Sequence, residues 1–288
     1  MTYTTLIDTA TLAALLAEHA GAARAGSPVV LVDCRFDLAN PSAGESAFAQ
    51  GRIPHAIYAH LDRDLSGVKT GTNGRHPLPT PTDAAATFGR MGIDSTVQVV
   101  AYDQDSGMFA SRLWWLLRWL GHDRVAVLDG GLARWKAEGR ALSDAPGSSA
   151  ARTFVAAPRP DMVVSAAEIP AIAQSTDMRL VDARAPERFR GESESIDPVA
   201  GHIPGAVNHF FQRNLSSGRF LAPDALRTAI REDIGDVAGD RIVCYCGSGV
   251  TACHNLLALE HAGMAGAKLY PGSWSEWVSD PTRGVARG

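Results

Sequence analysis

Short, almost uniformly apolar runs recur along the chain: VVLVDC at 29–34, VQVVAY at 97–102 and RVAVLDG at 124–130. RLVDAR at 179–184, RIVCYC at 241–246 and AKLY at 267–270 follow. Runs of this length that do not alternate apolar with polar residues predict strands covered on both faces. Between them, 11–20, 114–120 and 253–262 carry apolar residues at i, i+3 and i+4, the spacing of amphipathic helices. Strands divided by helices predict α/β units, each a mainly parallel sheet with helices on both faces. In such units sites form in the loops at the carboxyl ends of the strands.

The pattern is written twice. LVDCR at 31–35 returns as LVDAR at 180–184, and GRIPHA at 51–56 as GHIPGA at 201–206. VVAY at 99–102 returns as IVCY at 242–245, and LDGGLARW at 128–135 as YPGSWSEW at 270–277. Order and spacing are kept, so a domain of roughly 140 residues is duplicated. The expected boundaries are a first domain over 1–143, a linker over 144–162 and a second domain over 163–288. The stretch at 144–162, DAPGSSAARTFVAAPRPDM, is rich in Ala, Pro and Ser and reads as an exposed linker.

Duplication supplies an internal control: what both copies keep is scaffold, and what one copy has alone is a candidate for chemistry. Asp33 with Arg35 recurs as Asp182 with Arg184, which predicts structural ion pairs. Trp135 and Trp277 recur as well, and Trp114, Trp115 and Trp119 lie at helical spacing, so all read as packing residues. The turn after the IVCY strand differs. YCGSGVTAC at 245–253 stands where the first copy has YDQDSGMFAS, with Asp103 in the place of Cys246.

Cys244 lies within a predicted strand and Cys253 within a predicted helix, and both read as small buried hydrophobes. Cys246 sits where the chain turns. Gly247 and Gly249 let successive backbone N–H groups, continuing through Val250 and Thr251, point into one concavity at a helix N-terminus. Such a nest stabilises an anion, and the thiolate is the nucleophilic form of cysteine. A phosphate loop would need GxxxxGK[ST], which is absent. A cysteine phosphatase loop would need an arginine where Ala252 stands and a histidine where Tyr245 stands. A thiol hydrolase would need a paired histidine, and His254 is the sole nearby one, lying along the helix. Sulfur transfer fits the turn: the thiolate takes a sulfur and holds it as a persulfide.

The charge balance adds exclusions. Of 288 residues 45% are hydrophobic and 20% charged, with a net charge of −4, so no electrostatic grip on nucleic acid or anionic membrane is expected. No apolar run is long enough to span a membrane. The start, MTYTTLIDTATLAALL, lacks a basic stretch before a long apolar core, which predicts no secretory leader. Four cysteines (Cys34, Cys244, Cys246, Cys253) form no disulfide framework and no zinc spacing, so a cytoplasmic protein without a metal is expected.

The duplication, the CGSGVTA turn, the DAR…RFRG stretch and GHIPGA resemble the two-domain sulfurtransferases of the rhodanese superfamily, over nearly the whole chain. The resemblance implies two rhodanese-like α/β domains, a nucleophile in the second alone, a site in the cleft between them and no organic cofactor. It matches Cys246 to that nucleophile. Thiosulfate-using members carry basic residues after the cysteine, whereas Gly247 and Ser248 resemble the 3-mercaptopyruvate branch. For that branch the resemblance implies that the serine helps move a proton, partnered by a first-domain acid that aligns with Asp62. His76, in NGRHPLP, matches a histidine that lines the cleft. Arg188, in APERFRG, matches the first donor-anchoring arginine, a role that suits a planar guanidinium. A second anchoring arginine of that branch is replaced by Ser195, with Arg190 as a possible substitute. The resemblance therefore leaves two donors open, 3-mercaptopyruvate and thiosulfate, with a thiol such as thioredoxin, or cyanide, as acceptor. A persulfide carrier with little small-donor turnover is the alternative of another class.

Overall fold

The structure is a computed structural model that describes residues 2–18, 28–145, 147 and 149–288. Contacts divide the chain into two units: Met1–Ser66 with Pro79–Pro158, and Gly67–Leu78 with Arg159–Gly288.

The first unit runs β1 (Leu6–Ile7), α1 (Thr9–Glu18), β2 (Val29–Asp33), α2 (Ala43–Gln50), β3 (Ile57–Tyr58), α3 (Leu61–Asp64), α4 (Pro81–Arg90), β4 (Gln98–Tyr102), α5 (Ala110–Trp119), β5 (Val125–Leu128) and α6 (Gly131–Ala137). Its strands are all parallel, in the order β1-β5-β4-β2-β3. Every residue of β4 is buried, as an unalternating apolar strand requires. Leu31, Val100, Tyr102, Ala126 and Leu128 pack on one face with Leu12 of α1 and with Leu132 and Trp135 of α6. Their alternates point the other way, where α5 lies against β4 and β5. Trp114, Trp115 and Trp119 of α5 are buried, and the last two stack. Helix α1 ends at Glu18 among the described residues; positions 19 and 20 of its expected span lie outside them.

The second unit contains α7 (Ile169–Gln174), β6 (Arg179–Asp182), α8 (Pro186–Arg190), β7 (Val207–Asn208), the hairpin β8 (Leu215–Ser216) and β9 (Arg219–Phe220), α9 (Pro223–Ile234), β10 (Ile242–Tyr245), α10 (Thr251–His261), β11 (Lys268–Leu269) and α11 (Ser273–Trp277). Its main sheet is parallel, β11-β10-β6-β7, with Val163 forming a parallel bridge beside Leu269. The edge bridge occupies the place of β1, so both sheets have one layout.

Repeated motifs do repeated structural work. The Arg35 guanidinium pairs with Asp33 at 2.7 Å and donates to the Gly51 carbonyl at 2.8 Å. Arg184 pairs with Asp182 at 2.7 Å and donates to Gly201 at 2.7 Å. Each pair ties a strand end to the glycine that opens the GRIPHA or GHIPGA segment. The Trp135 and Trp277 indoles each donate a 2.8 Å hydrogen bond to a carbonyl just beyond their helix, Ala141 and Gly284.

Two expectations about boundaries need adjustment. The segment Gly67–Leu78, expected in the first domain, groups with the second unit. Arg75 N donates to Ser275 Oγ at 3.0 Å and Ser279 Oγ to the Thr72 carbonyl at 3.3 Å. The expected linker is also less exposed than its composition suggests. Arg152 N and Ala157 N donate to Gly89 and Leu120 carbonyls, and Phe154 is buried edge-on to Phe88. An aromatic and two backbone donors dock this stretch on the first unit, although its small residues read as spacer; Pro146 and Ser148 lie outside the described residues.

Candidate active site

Cys246 immediately follows β10, at the carboxyl end of the central strand of the second sheet, and is 2% exposed. Gly249 adopts φ +76°, where a side chain is strained, and a Cβ there would also lie 2.4 Å from the Pro271 carbonyl oxygen. That conformation turns the Gly249 N–H onto the Cys246 sulfur at 3.1 Å. The amides of Gly247, Ser248, Val250 and Thr251 have no acceptor among the described residues. One N–H on the sulfur and four amides without acceptors in the same turn, at the start of an 11-residue helix, suit the turn to holding negative charge.

The backbone of the turn is clamped by the start of α11. Cys246 N donates to Ser273 Oγ at 3.1 Å, while Trp274 N and Ser275 N donate to the Cys246 and Gly247 carbonyls, each at 2.9 Å. Ser273 is fully buried with φ +55°, a conformation that non-glycine residues rarely adopt.

The other thiols are poor nucleophiles. Burial pushes the Cys244 and Cys34 thiols well up from the ordinary cysteine value, and Cys253 donates to the Gly249 carbonyl at 3.2 Å. His254 is buried against Asn214 Nδ2, 3.1 Å from its Nδ1.

Ser248 and His76 meet. Ser248 Oγ lies 2.7 Å from His76 Nδ1, and both residues are buried. A short hydroxyl–imidazole contact beside a nucleophile can relay a proton. Asp62 belongs to the first unit, half-buried in α3, where its N–H donates to His60 Nδ1 at 3.2 Å.

Arg188, on α8, makes a forked pair with Glu194 at 2.8–3.1 Å and reaches Asp197 Oδ2 at 3.1 Å. The other oxygen of Asp197 binds the Arg75 guanidinium. Arg75 carries no local signal of this role in the sequence, although it stands beside His76 in NGRHPLP. The missing glycine side chain at 247 leaves room for these groups: a Cβ there would lie 2.8 Å from Arg75 Nη2 and 3.7 Å from Arg188 Nη1. Gly247 thus serves by its lack of bulk, whereas Gly249 serves by its conformation. Two guanidiniums therefore face the turn despite Ser195. Arg190, the substitute the sequence offered, pairs at the surface with Glu192 instead. No cluster of His, Cys, Asp and Glu suited to a metal occurs among the described residues, and no described helix is long and apolar enough to cross a membrane.

Comparison with known proteins agrees with this architecture. The rhodanese-like domain model matches twice, over residues 15–138 and 165–280. A Pseudomonas aeruginosa protein named as a 3-mercaptopyruvate sulfurtransferase is 49% identical, the alignment covering 96% of this chain and 99% of the relative. A Mycobacterium tuberculosis protein named as the thiosulfate sulfurtransferase SseB is 41% identical over 94% of this chain and 95% of its own length. The crystal structure of the Escherichia coli 3-mercaptopyruvate enzyme SseA superposes with a TM-score of 0.79 at 28% identity, covering 94% of this chain and 99% of that one. With two matched domains and relatives aligned from end to end, the chain belongs to the rhodanese family and is a tandem rhodanese-domain sulfurtransferase.

Proposed function

We propose that the protein moves sulfur from 3-mercaptopyruvate to a thiol or cyanide through a persulfide on Cys246. The observation that carries this reading is the Cys246 sulfur under the Gly249 N–H, with two guanidiniums facing the adjacent Gly247. Arg188 and Arg75 anchor the donor's carboxylate. The Cys246 thiolate attacks the donor's sulfur, and the carbon–sulfur bond breaks with its electron pair passing to carbon. Pyruvate forms once that carbon takes the proton released by the donor's thiol, and the persulfide anion remains on the enzyme. Gly247, Ser248, Gly249, Val250 and Thr251 hold the anion through their amides. Ser248 with His76 carries the proton; Asp62, from the first unit, is the acid that the family resemblance adds to that path. An acceptor thiol, such as that of thioredoxin in a reducing cytoplasm, attacks the outer sulfur and returns the thiolate of Cys246. Cyanide does the same, leaving as thiocyanate.

Thiosulfate is the second donor, favoured by the SseB relative. With it the sulfane–sulfur bond breaks and sulfite leaves with the electron pair. Initial rates with both donors and cyanide, beside a Cys246→Ser control, test the reading. The expected result is the larger kcat/KM for 3-mercaptopyruvate and an enzyme one sulfur heavier by mass when no acceptor is present. A larger kcat/KM for thiosulfate overturns the donor assignment. Sulfur loading from a protein donor without small-donor turnover would make the protein a carrier.

A further inference from the structure

The loop after α8 brings two buried carboxylates against the anchoring arginines, and their surroundings differ. Glu194 is a strut. Its Oε1 accepts the N–H groups of Ile196 at 2.9 Å and Asp197 at 3.0 Å, and its Oε2 lies 3.5 Å from Arg184 Nη1. Burial pushes its carboxyl up, but those N–H groups and Arg188 outweigh burial and hold it below the usual glutamate range. The Asp197 carboxylate has no partners among the described residues except Arg75 and Arg188. Its side chain is 2% exposed, against 28% for Arg75 and 20% for Arg188, so the carboxylate is the closed end of the group and the guanidiniums its open side.

Charge decides what such a group prefers. With both carboxylates ionised, Arg75, Arg188, Glu194 and Asp197 sum to zero, and the neighbouring Asp182–Arg184 pair adds nothing. Arg75 Nη2 and Arg188 Nη1 still lack hydrogen-bond partners among the described residues and face Gly247. The incoming donor meets directional N–H groups without net positive charge, backed by a fixed negative charge one guanidinium away. Forked N–H groups suit a single carboxylate whatever the net charge. A dianion's second charge gains less there than it would from unpaired guanidiniums, because Asp197 repels it twice as strongly as a monoanion and offsets part of their pull.

From this arrangement we infer that Asp197 is a selectivity residue: clamped between Arg75 and Arg188, it disfavours doubly charged inorganic sulfur donors relative to singly charged carboxylate donors. The inference rests on these arginines anchoring the donor, as proposed above. It explains how a turn with two facing arginines can still prefer a keto-acid.

Asp197→Asn keeps the shape and removes the charge. The ratio of kcat/KM for thiosulfate to that for 3-mercaptopyruvate is expected to rise about tenfold, the effect of one unit of charge behind a partly screened guanidinium pair. Asp197→Glu, which keeps the charge, leaves the ratio within about threefold of the parent. Equal changes for both donors, or a shift toward mercaptopyruvate, overturn the inference. Calorimetric binding of sulfate and of pyruvate to Cys246→Ser protein, with and without Asp197→Asn, repeats the comparison without turnover. Selective tightening of sulfate supports the role, and parallel changes refute it. If the parent turns over neither donor, the sulfur-transfer reading fails while the anion comparison still judges Asp197. Should Asp197→Asn not fold, Asp197→Ser carries the same test.

Discussion

The turn at Asp103 and the turn at Cys246 are the same device with different occupants. Each follows the central strand of its sheet, and each contains a left-handed glycine, Gly107 at φ +80° and Gly249 at φ +76°. Each is clamped by the next helix: Leu132 N and Ala133 N donate to the Asp103 and Gln104 carbonyls as Trp274 N and Ser275 N do to Cys246 and Gly247. In the first turn the Asp103 carboxylate accepts N–H groups from Gly107 at 2.9 Å, Phe109 at 2.8 Å and Ala110 at 3.1 Å. The nest is filled by its own side chain. In the second turn the thiol takes one N–H and leaves four amides without acceptors. A duplicated anion-holding frame becomes structural when the anion is built in, and is suited to catalysis when the anion arrives with the reaction.

The hardest test exchanges the occupants. Cys246→Ser is expected to lower turnover by more than about a thousandfold, and adding Asp103→Cys should restore none of it, because Arg35, the arginine in the first turn's lining, is forked onto Asp33, whereas two guanidiniums face Gly247. Measurable turnover by the double variant would make the two turns interchangeable and remove the distinction. Next, Ser248→Ala and His76→Asn should each cut kcat about ten- to a hundredfold, with KM little changed and the alkaline or acid limb of the pH–rate profile displaced. A loss confined to KM would recast the pair as packing.

Glycine substitutions sharpen the comparison on stability. Gly249→Ala meets both a strained φ and the Pro271 carbonyl, so about 2–3 kcal/mol is expected by denaturant unfolding, together with lost activity. Gly107→Ala faces the conformational strain and should cost about 1 kcal/mol while turnover persists. Similar costs and similar activity losses at both positions would contradict the assignment of roles.

Asp103 carries a pH signature. Burial, the largest influence, pushes its carboxyl up despite the N–H groups that favour the charged form. An acid whose folded value lies above its unfolded value binds its proton more tightly when folded. Relative to Asp103→Asn, the parent is therefore most stable in acid and loses ground as pH rises above about 4, the unfolded aspartate value. A stability difference independent of pH would mean that the N–H groups cancel burial, and one that grows as pH rises above about 4 would mean that they dominate it.

The smallest effect is expected at Ser273. Ser273→Gly relieves a left-handed conformation but removes the acceptor for Cys246 N, so stability should move by less than about 1 kcal/mol while kcat falls a few-fold. The converse Gly131→Ser should be worse for stability, since a Cβ there would lie 2.8 Å from the Asp103 carbonyl oxygen. Equal tolerance at the two positions would mean that Ser273 does not position the thiol.

Much of this was legible before any coordinates. The apolar runs marked all the long strands, because parallel strands buried on two faces leave no polar alternation to confuse the pattern. The paired motifs marked the scaffold, and the divergence of the turn after the IVCY strand marked Cys246. Less was legible where contacts join distant residues. The role of Arg75 depends on a loop that leaves the first unit and packs on the second, and nothing local distinguishes it from a solvated arginine in NGRHPLP. Ser248 was expected to work with Asp62, but its observed hydrogen bond is to His76. The 152–157 stretch looked like spacer because small residues carry no period, yet Phe154 docks it.

The sequence by itself determined the duplication, the strand–turn–helix frame and the position of the candidate nucleophile, since each follows from local periodicity or from comparing two written copies. Tertiary structure decided who surrounds that nucleophile: Arg75 from one loop, Asp197 from another, and Ser273 from the start of α11. Charge pairing across more than a hundred residues, as between Arg75 and Asp197, depends on where the chain returns in space. That return is set by the packing of whole sheets and helices, and no single stretch of sequence records it.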